Sequence, residues 1–260
     1  GSTPAATDKR ARGAGPPPSA VDNVALIRNL DLSQKVAHAA YEGLLDKWQG
    51  RLAALTQSTR FRDHSLILAF EGADAAGKGG AIRRVTSALD ARQYVSVPIA
   101  APTEEEKLYP YLWRFWRAIP PRGGITIFDR TWYGRVLVER VEGYCSEFDW
   151  WRAYDEINQF EEQLTENGAI LCKFWLQISK AEQYRRFKAR EKTPFKRFKI
   201  TPDDWRNRAK WTAYEHAVAD MVDRTSTELA PWTLVEAEDK YFARIKVLKT
   251  IVKALEIAVK

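Results

Sequence analysis

Short apolar runs alternate with amphipathic stretches along most of this chain. Residues 65–70 (SLILAF), 125–128 (ITIF) and 169–178 (AILCKFWLQI) are near-continuous apolar runs, the pattern of strands buried on both faces. Residues 94–99 (YVSVPI) and 232–236 (WTLVE) are β-rich and add two more strands. Elsewhere the period lengthens. Residues 33–57 place Val36, Ala40, Leu44, Trp48, Leu52 and Leu55 at helical spacing ahead of the first strand. Further helices are expected at about 78–89, 104–118, 149–167, 180–191, 202–224 and 239–257. Strands alternating with helices predict an α/β fold, with five strands in a mainly parallel sheet between helices. Residues 1–20 are Pro, Ala and Gly without periodicity, so 1–30 is assigned to a flexible tail or interdomain linker and 31–260 to one domain.

Composition narrows the class. The chain has 260 residues, 45% hydrophobic and 29% charged, enough to bury a core, and 31 aromatic side chains argue against disorder. The two cysteines, Cys145 and Cys172, have no metal-ligand spacing and form no disulfide framework. A reducing, cytoplasmic setting is the expectation. No apolar run approaches the ~20 residues that cross a bilayer, so no membrane association is expected. Net charge is +7, and the segment 185–199 (RRFKAREKTPFKRFK) alone carries that much, with eight basic residues and one acid. The rest of the chain is neutral. This is a local basic patch, suited to a polyanion or a phosphorylated ligand, unless it is simply a solvated helix face.

The candidate chemistry begins at the first strand. Residues 70–81 read FEGADAAGKGGA, in which Gly72, Gly77 and Lys78 match the phosphate-loop pattern G-x-x-x-x-G-K between a strand and a helix. Such a loop turns successive N–H groups of residues such as Ala75, Ala76, Gly79 and Gly80 toward phosphate oxygens, at the positive end of a new helix. Lys78 adds a point charge. The next position should carry a hydroxyl for Mg²⁺, yet it is Gly79. Asp74 is the alternative metal ligand, because a carboxylate beside a phosphate is repelled unless a cation separates them. Capping of the turn is the competing explanation for it. The third strand ends in Asp129-Arg130, where an open α/β sheet faces its ligand crevice. Asp129 fits a second metal carboxylate, or a helix N-cap. Arg130 fits a clamp on phosphate. The interval 180–215 fits a helical lid that closes over the crevice and excludes water.

The strings FEGADAAGKGGAIRR (70–84) and FDRTWYGRVLVERVEG (128–143), with the basic segment followed by TPDDW, resemble the polyphosphate kinase 2 family over about residues 31–257. The resemblance implies a P-loop kinase fold like that of thymidylate kinase, with inorganic polyphosphate as phosphoryl donor, a nucleotide as acceptor, and Mg²⁺ (Mn²⁺ as an alternative) as cofactor. It assigns essential roles to Asp74, Lys78, Asp129 and Arg130, with Asp74 and Asp129 on the metal. It places Arg135 and Glu139 in the same motif, and they are assigned with Arg114 to the nucleotide. APTEEEKLYPYLWRFW and VLVERVEGY resemble the branch that converts AMP to ADP, whose members often fuse two domains. The chain then corresponds to an excised C-terminal domain, and a homo-oligomer is expected. Charge matching assigns the polyphosphate chain to Arg185, Arg186, Lys188, Arg190, Lys192, Lys196, Arg197 and Lys199. Aromatics of the lid or of residues 111–117 are candidates for base contacts, although their helical spacing favours core packing. Rival readings are a polyphosphate-dependent nucleoside diphosphate kinase, an ATP-dependent monophosphate kinase and a non-catalytic polyanion binder. Nucleic-acid binding is not expected, since no known module is present.

Overall fold

A computed structural model describes residues 23–259, apart from the side chain of Lys196. Five strands form one sheet: β1 (Ser65–Gly72), β2 (Tyr94–Pro98), β3 (Ile125–Asp129), β4 (Ala169–Gln177) and β5 (Trp232–Glu236), in the order β2-β3-β1-β4-β5. Every pairing is parallel. The sheet is therefore wholly rather than mainly parallel.

Alternation along the central strands explains why they read as continuous apolar runs. Leu66, Leu68 and Phe70 enter a core against α2 (His38–Thr56), α3 (Lys78–Thr86) and α10 (Lys240–Ala258). Ile67 and Ala69 enter a second core on the opposite face, against α6 (Glu147–Glu166) and α9 (Trp211–Thr225). Phe70 and Phe174 stack across β1 and β4 at 5.0 Å. Each such buried side chain contributes about 1.5–3 kcal/mol.

Several expected elements change shape. The helix expected at 104–118 is a 3-10 turn (Glu106–Leu108) and one helical turn, α4 (Trp113–Trp116). Pro110 forces Tyr109 to extended backbone (φ −116°, ψ 161°), which ends the helix there. The helix expected at 202–224 divides at Lys210 into α8 (Pro202–Ala209) and α9. The helix that an N-cap at Asp129 would start near Trp132 is instead a 3-10 turn (Trp132–Val136) followed by α5 (Val138–Glu142). The basic segment spans α7 (Lys180–Lys192) and a 3-10 turn (Pro194–Lys199). Of the supposed tail, residues 1–22 lie outside the described residues. Residues 23–30 are not loose: Val24 and Ile27, around the short helix α1 (Ala25–Arg28), are buried in the second core.

Among the described residues, no helix is long and apolar enough to cross a membrane.

Candidate active site

The carboxyl ends of β1, β3 and β4 meet where the chain order reverses, with β1 between β3 and β4. That is the crevice in which open α/β sheets bind ligands. The phosphate loop rises there from β1 into α3. Gly77 has φ +101°, which an L side chain tolerates poorly, and Ala75 has φ +65°. These left-handed residues fold the loop into a concavity of N–H groups. Gly72 is glycine for another reason: a Cβ there would stand 2.8 Å from the Leu176 carbonyl of the neighbouring strand. At Gly79, by contrast, a Cβ would meet no atom within 4 Å, so sterics does not exclude a serine. Its lack of a hydroxyl is therefore not imposed by packing.

The loop lies between two chambers. One has a volume of about 120 Å³ and is lined by Gly72, Asp74, Lys78 and Arg130. Trp175, Trp211, Tyr214 and Val218 line it as well. The other, about 680 Å³, is lined by Ala75 and Gly77 of the same loop and is strongly basic. Its walls carry Lys35, Arg185, Arg186, Arg190, Lys199, Lys240 and Arg244 against only two carboxylates, Glu238 and Asp239.

The predicted site residues divide accordingly. Lys78 Nζ lies 3.4 Å from the Gly72 carbonyl, beside the loop. Arg130 reaches to 3.9 Å from Asp74. Asp129 ends β3 opposite Phe70 in the register, one residue from Arg130, but does not line the aromatic chamber. Its carboxylate makes no hydrogen bond or ion pair among the described residues, so N-capping is not its role; Thr131 caps the turn after β3. Asp74 and Asp129 are hard oxygen donors of the kind Mg²⁺ prefers. Among the described residues no three His, Cys, Asp or Glu side chains cluster as a metal site. A cation here would complete its shell with phosphate oxygens and water, as Mg²⁺ commonly does.

Arg114, Arg135 and Glu139 stand elsewhere. Arg135 and Glu139 pair with each other at 2.7 Å, and Arg135 lies over the Tyr111 ring. Arg114 donates to the Ala100 carbonyl at 2.9 Å. None of the three lines either chamber.

Of the basic residues assigned to the donor, Arg185, Arg186, Arg190 and Lys199 line the basic cleft. Arg186 is mainly a tether, donating to the carbonyls of Ala75, Ala237 and Glu238. Lys188 turns away, pairing with Glu191 at 3.0 Å and lying over the Trp205 ring. Lys192 and Arg197 are exposed outside the cleft lining. The side chain of Lys196 lies outside the described residues.

The interval 180–215, expected to be a lid, packs on the loop. Asn207 donates to Asp74 Oδ2 at 2.9 Å, and Gln183 donates to the Asp74 carbonyl at 3.1 Å. Glu142 of α5 latches it, 2.8 Å from Lys210 and 3.3 Å from Arg206. Trp211 and Tyr214 are among the aromatics of the 180–215 interval that the sequence offered, without naming them, for base contacts, and they line the chamber. Glu71, a carboxylate inside an apolar strand, was missed. Glu71 accepts bonds from the Thr131 N–H and hydroxyl, both at 2.8 Å. Burial pushes its carboxyl above the usual range, and the charges of Lys78 and Arg130 oppose that rise.

Comparison with known proteins agrees with this geometry. Residues 35–260 match the family model described as Polyphosphate kinase 2. A protein of Pseudomonas aeruginosa named polyphosphate:AMP phosphotransferase is 65% identical over 252 residues, 97% of this chain and 51% of that protein. A GDP-polyphosphate phosphotransferase of Mycobacterium tuberculosis is 35% identical over 225 residues, 86% of this chain and 76% of that protein. The crystal structure of a putative polyphosphate kinase 2 from Pseudomonas aeruginosa superposes with a TM-score of 0.90 at 66% identity, covering 92% of this chain and 51% of that one. That of polyphosphate kinase 2 from Arthrobacter aurescens gives 0.84 at 33% identity, covering 91% and 90%. The chain spans about half the length of the first relatives it matches. By family model, sequence and fold together, this chain belongs to the polyphosphate kinase 2 family.

Proposed function

We propose that this chain transfers the terminal phosphoryl group of inorganic polyphosphate to AMP, giving ADP. One observation carries the reading: the phosphate loop stands as a partition between a basic cleft and an aromatic chamber. A polyanion with about one charge per phosphate needs a string of cations, and only the cleft has one. A nucleoside monophosphate needs a surface for its base and a few cations for about two charges. Trp211 and Tyr214 provide the first, and Lys78 and Arg130 the second. AMP is preferred over a diphosphate because relatives at 54–65% identity carry the name polyphosphate:AMP phosphotransferase, while those named for diphosphates are 35–37% identical.

In this reading the donor end crosses the loop and meets the AMP phosphate in line. The loop N–H groups, Lys78 and Arg130 hold the charge that spreads over the transferring group. The acceptor is already an oxyanion, so no side chain need act as nucleophile, and no histidine lines either chamber. Asp74 and Asp129 would hold a divalent cation, assigned as Mg²⁺, which would supply neutralising charge for the transfer. The closed lid keeps water from the phosphoryl group. A donor–acceptor grid tests this, with polyphosphate or ATP against AMP, GMP, ADP and GDP. Rapid ADP formation from polyphosphate and AMP is expected. Turnover with ATP but not polyphosphate would make the chain a conventional monophosphate kinase, and tight polyphosphate binding without turnover would make it a binder.

A further inference from the structure

The turn that carries Arg130 is held by an acid that takes no part in the proposed transfer. Glu71 lies near the end of β1 and is 6% exposed. Its Oε1 accepts from both the N–H and the hydroxyl of Thr131 at 2.8 Å. One residue earlier, the Phe70 carbonyl accepts from the Arg130 N–H at 3.0 Å. Three bonds thus pin residues 130 and 131 to consecutive positions of β1. Arg130 itself has φ +65°. That region costs a non-glycine residue about 1–2 kcal/mol, and it persists only where the surroundings over-determine it.

A carboxylate is an unfavourable choice for a mere spacer here. It lines the same chamber as Lys78 and Arg130, where it repels a phosphorylated ligand. An amide could accept the same bonds without that repulsion. What the carboxylate adds is a stronger, charge-assisted grip on Thr131 and attraction to the two flanking cations. We propose that Glu71 is a positioning residue for phosphoryl transfer: by fixing Thr131 it holds Arg130 in its left-handed conformation at the chamber. This rests on Arg130 acting on the transferring group.

A double-mutant cycle tests it, with kcat, the KM for each substrate and the melting temperature measured for every variant. Glu71→Ala should lower kcat about 10²-fold, the scale of a misplaced catalytic group, with both KM values within about threefold. Glu71→Gln, which keeps an acceptor, should recover most of that loss. In an Arg130→Ala background, Glu71→Ala should cost nothing further, because the two act as one unit. A Glu71→Ala enzyme of near-normal kcat, or a loss that multiplies fully with that of Arg130→Ala, overturns the proposal alone. An Arg130→Ala enzyme of normal kcat overturns both the proposal and the role given to Arg130. If Glu71→Ala does not fold, Thr131→Val decides by the same cycle. It should lower kcat roughly tenfold, on the same misplacement scale, and have no effect without Arg130.

Discussion

Replacing Lys35, Lys199 and Lys240 together by Gln should weaken polyphosphate without touching AMP. The three lysines come from different parts of the chain, line the basic cleft and are exposed, so their loss costs little stability. Binding a flexible polyanion releases about 0.7 counterion per neutralised phosphate. At 0.1 M salt each lost contact is then worth about 0.7 log unit, roughly fivefold. Three contacts give about a 10²-fold rise in the polyphosphate KM. The slope of log KM against log salt should become shallower by about 2. Initial rates at saturating AMP, over a series of polyphosphate and salt concentrations, read both quantities. The matched control is Lys192→Gln with Arg197→Gln. Those side chains carry similar charge in the same region but stand outside the cleft lining, and should change the polyphosphate KM less than about threefold, as surface charges do. If the control raises that KM as much as the cleft variant, donor affinity is a property of diffuse charge and not of this cleft. If the AMP KM rises equally, the division between the chambers is wrong.

Other variants probe the loop and its support. Lys78→Ala should abolish most turnover while leaving the melting temperature near that of the parent, since the side chain borders a chamber and not the core. Asp74→Asn should slow turnover at least ~10²-fold if its charge serves a metal, and a metal titration of that variant should need more Mg²⁺ for half-maximal rate. Gly72→Ala should destabilise by about 1–3 kcal/mol in a denaturant melt, because the new methyl meets the Leu176 carbonyl at 2.8 Å. Lys173→Met should destabilise by about 3–5 kcal/mol, since it strands Glu161, which Lys173 contacts at 2.8 Å in the core.

Much of the sheet was legible because a strand buried on both faces has little freedom of composition. Leu66 to Phe70 read as a strand and form one, and the loop's Gly77 and Lys78 mark the entry into α3. The basic segment was legible as charge but not as geometry. Arg186 and Lys188 are as basic as Arg190, yet only the folded lid shows that Arg186 binds carbonyls and Lys188 covers Trp205. Arg135 and Glu139 were placed by a motif alone, and their geometry came only with the fold: one helical turn apart, they pair with each other outside both chambers. Trp211 and Tyr214 could not be singled out among the lid aromatics, because a helix face that lines a chamber has the same period as one that packs on a core. The burial of Glu161 and Lys173 depends on partners distant in sequence. Burial pushes Glu161 up and Lys173 down, their contact opposes both shifts, and Trp132, Tyr133 and the Thr225 carbonyl complete the network.

Asp74 joins the two halves of the site in a way that its place in the loop alone does not reveal. Its carboxylate meets Asn207 of α8 and its carbonyl meets Gln183 of α7, while the next carbonyl, of Ala75, meets Arg186. Three lid side chains therefore converge on two adjacent loop residues. The loop cannot hold this shape against an open lid without losing those three bonds. The lid, in turn, cannot leave without freeing an oxygen of the carboxylate proposed to hold the metal. An ordinary phosphate loop puts a hydroxyl beside its lysine, rooted in the helix and indifferent to the lid. Here the polar group sits on the lid side of the loop, and Gly79 leaves the helix side bare. Lid closure and the state of the proposed metal ligand are thus coupled through Asp74. That coupling would tie assembly of the charged site to the exclusion of water from the proposed phosphoryl transfer.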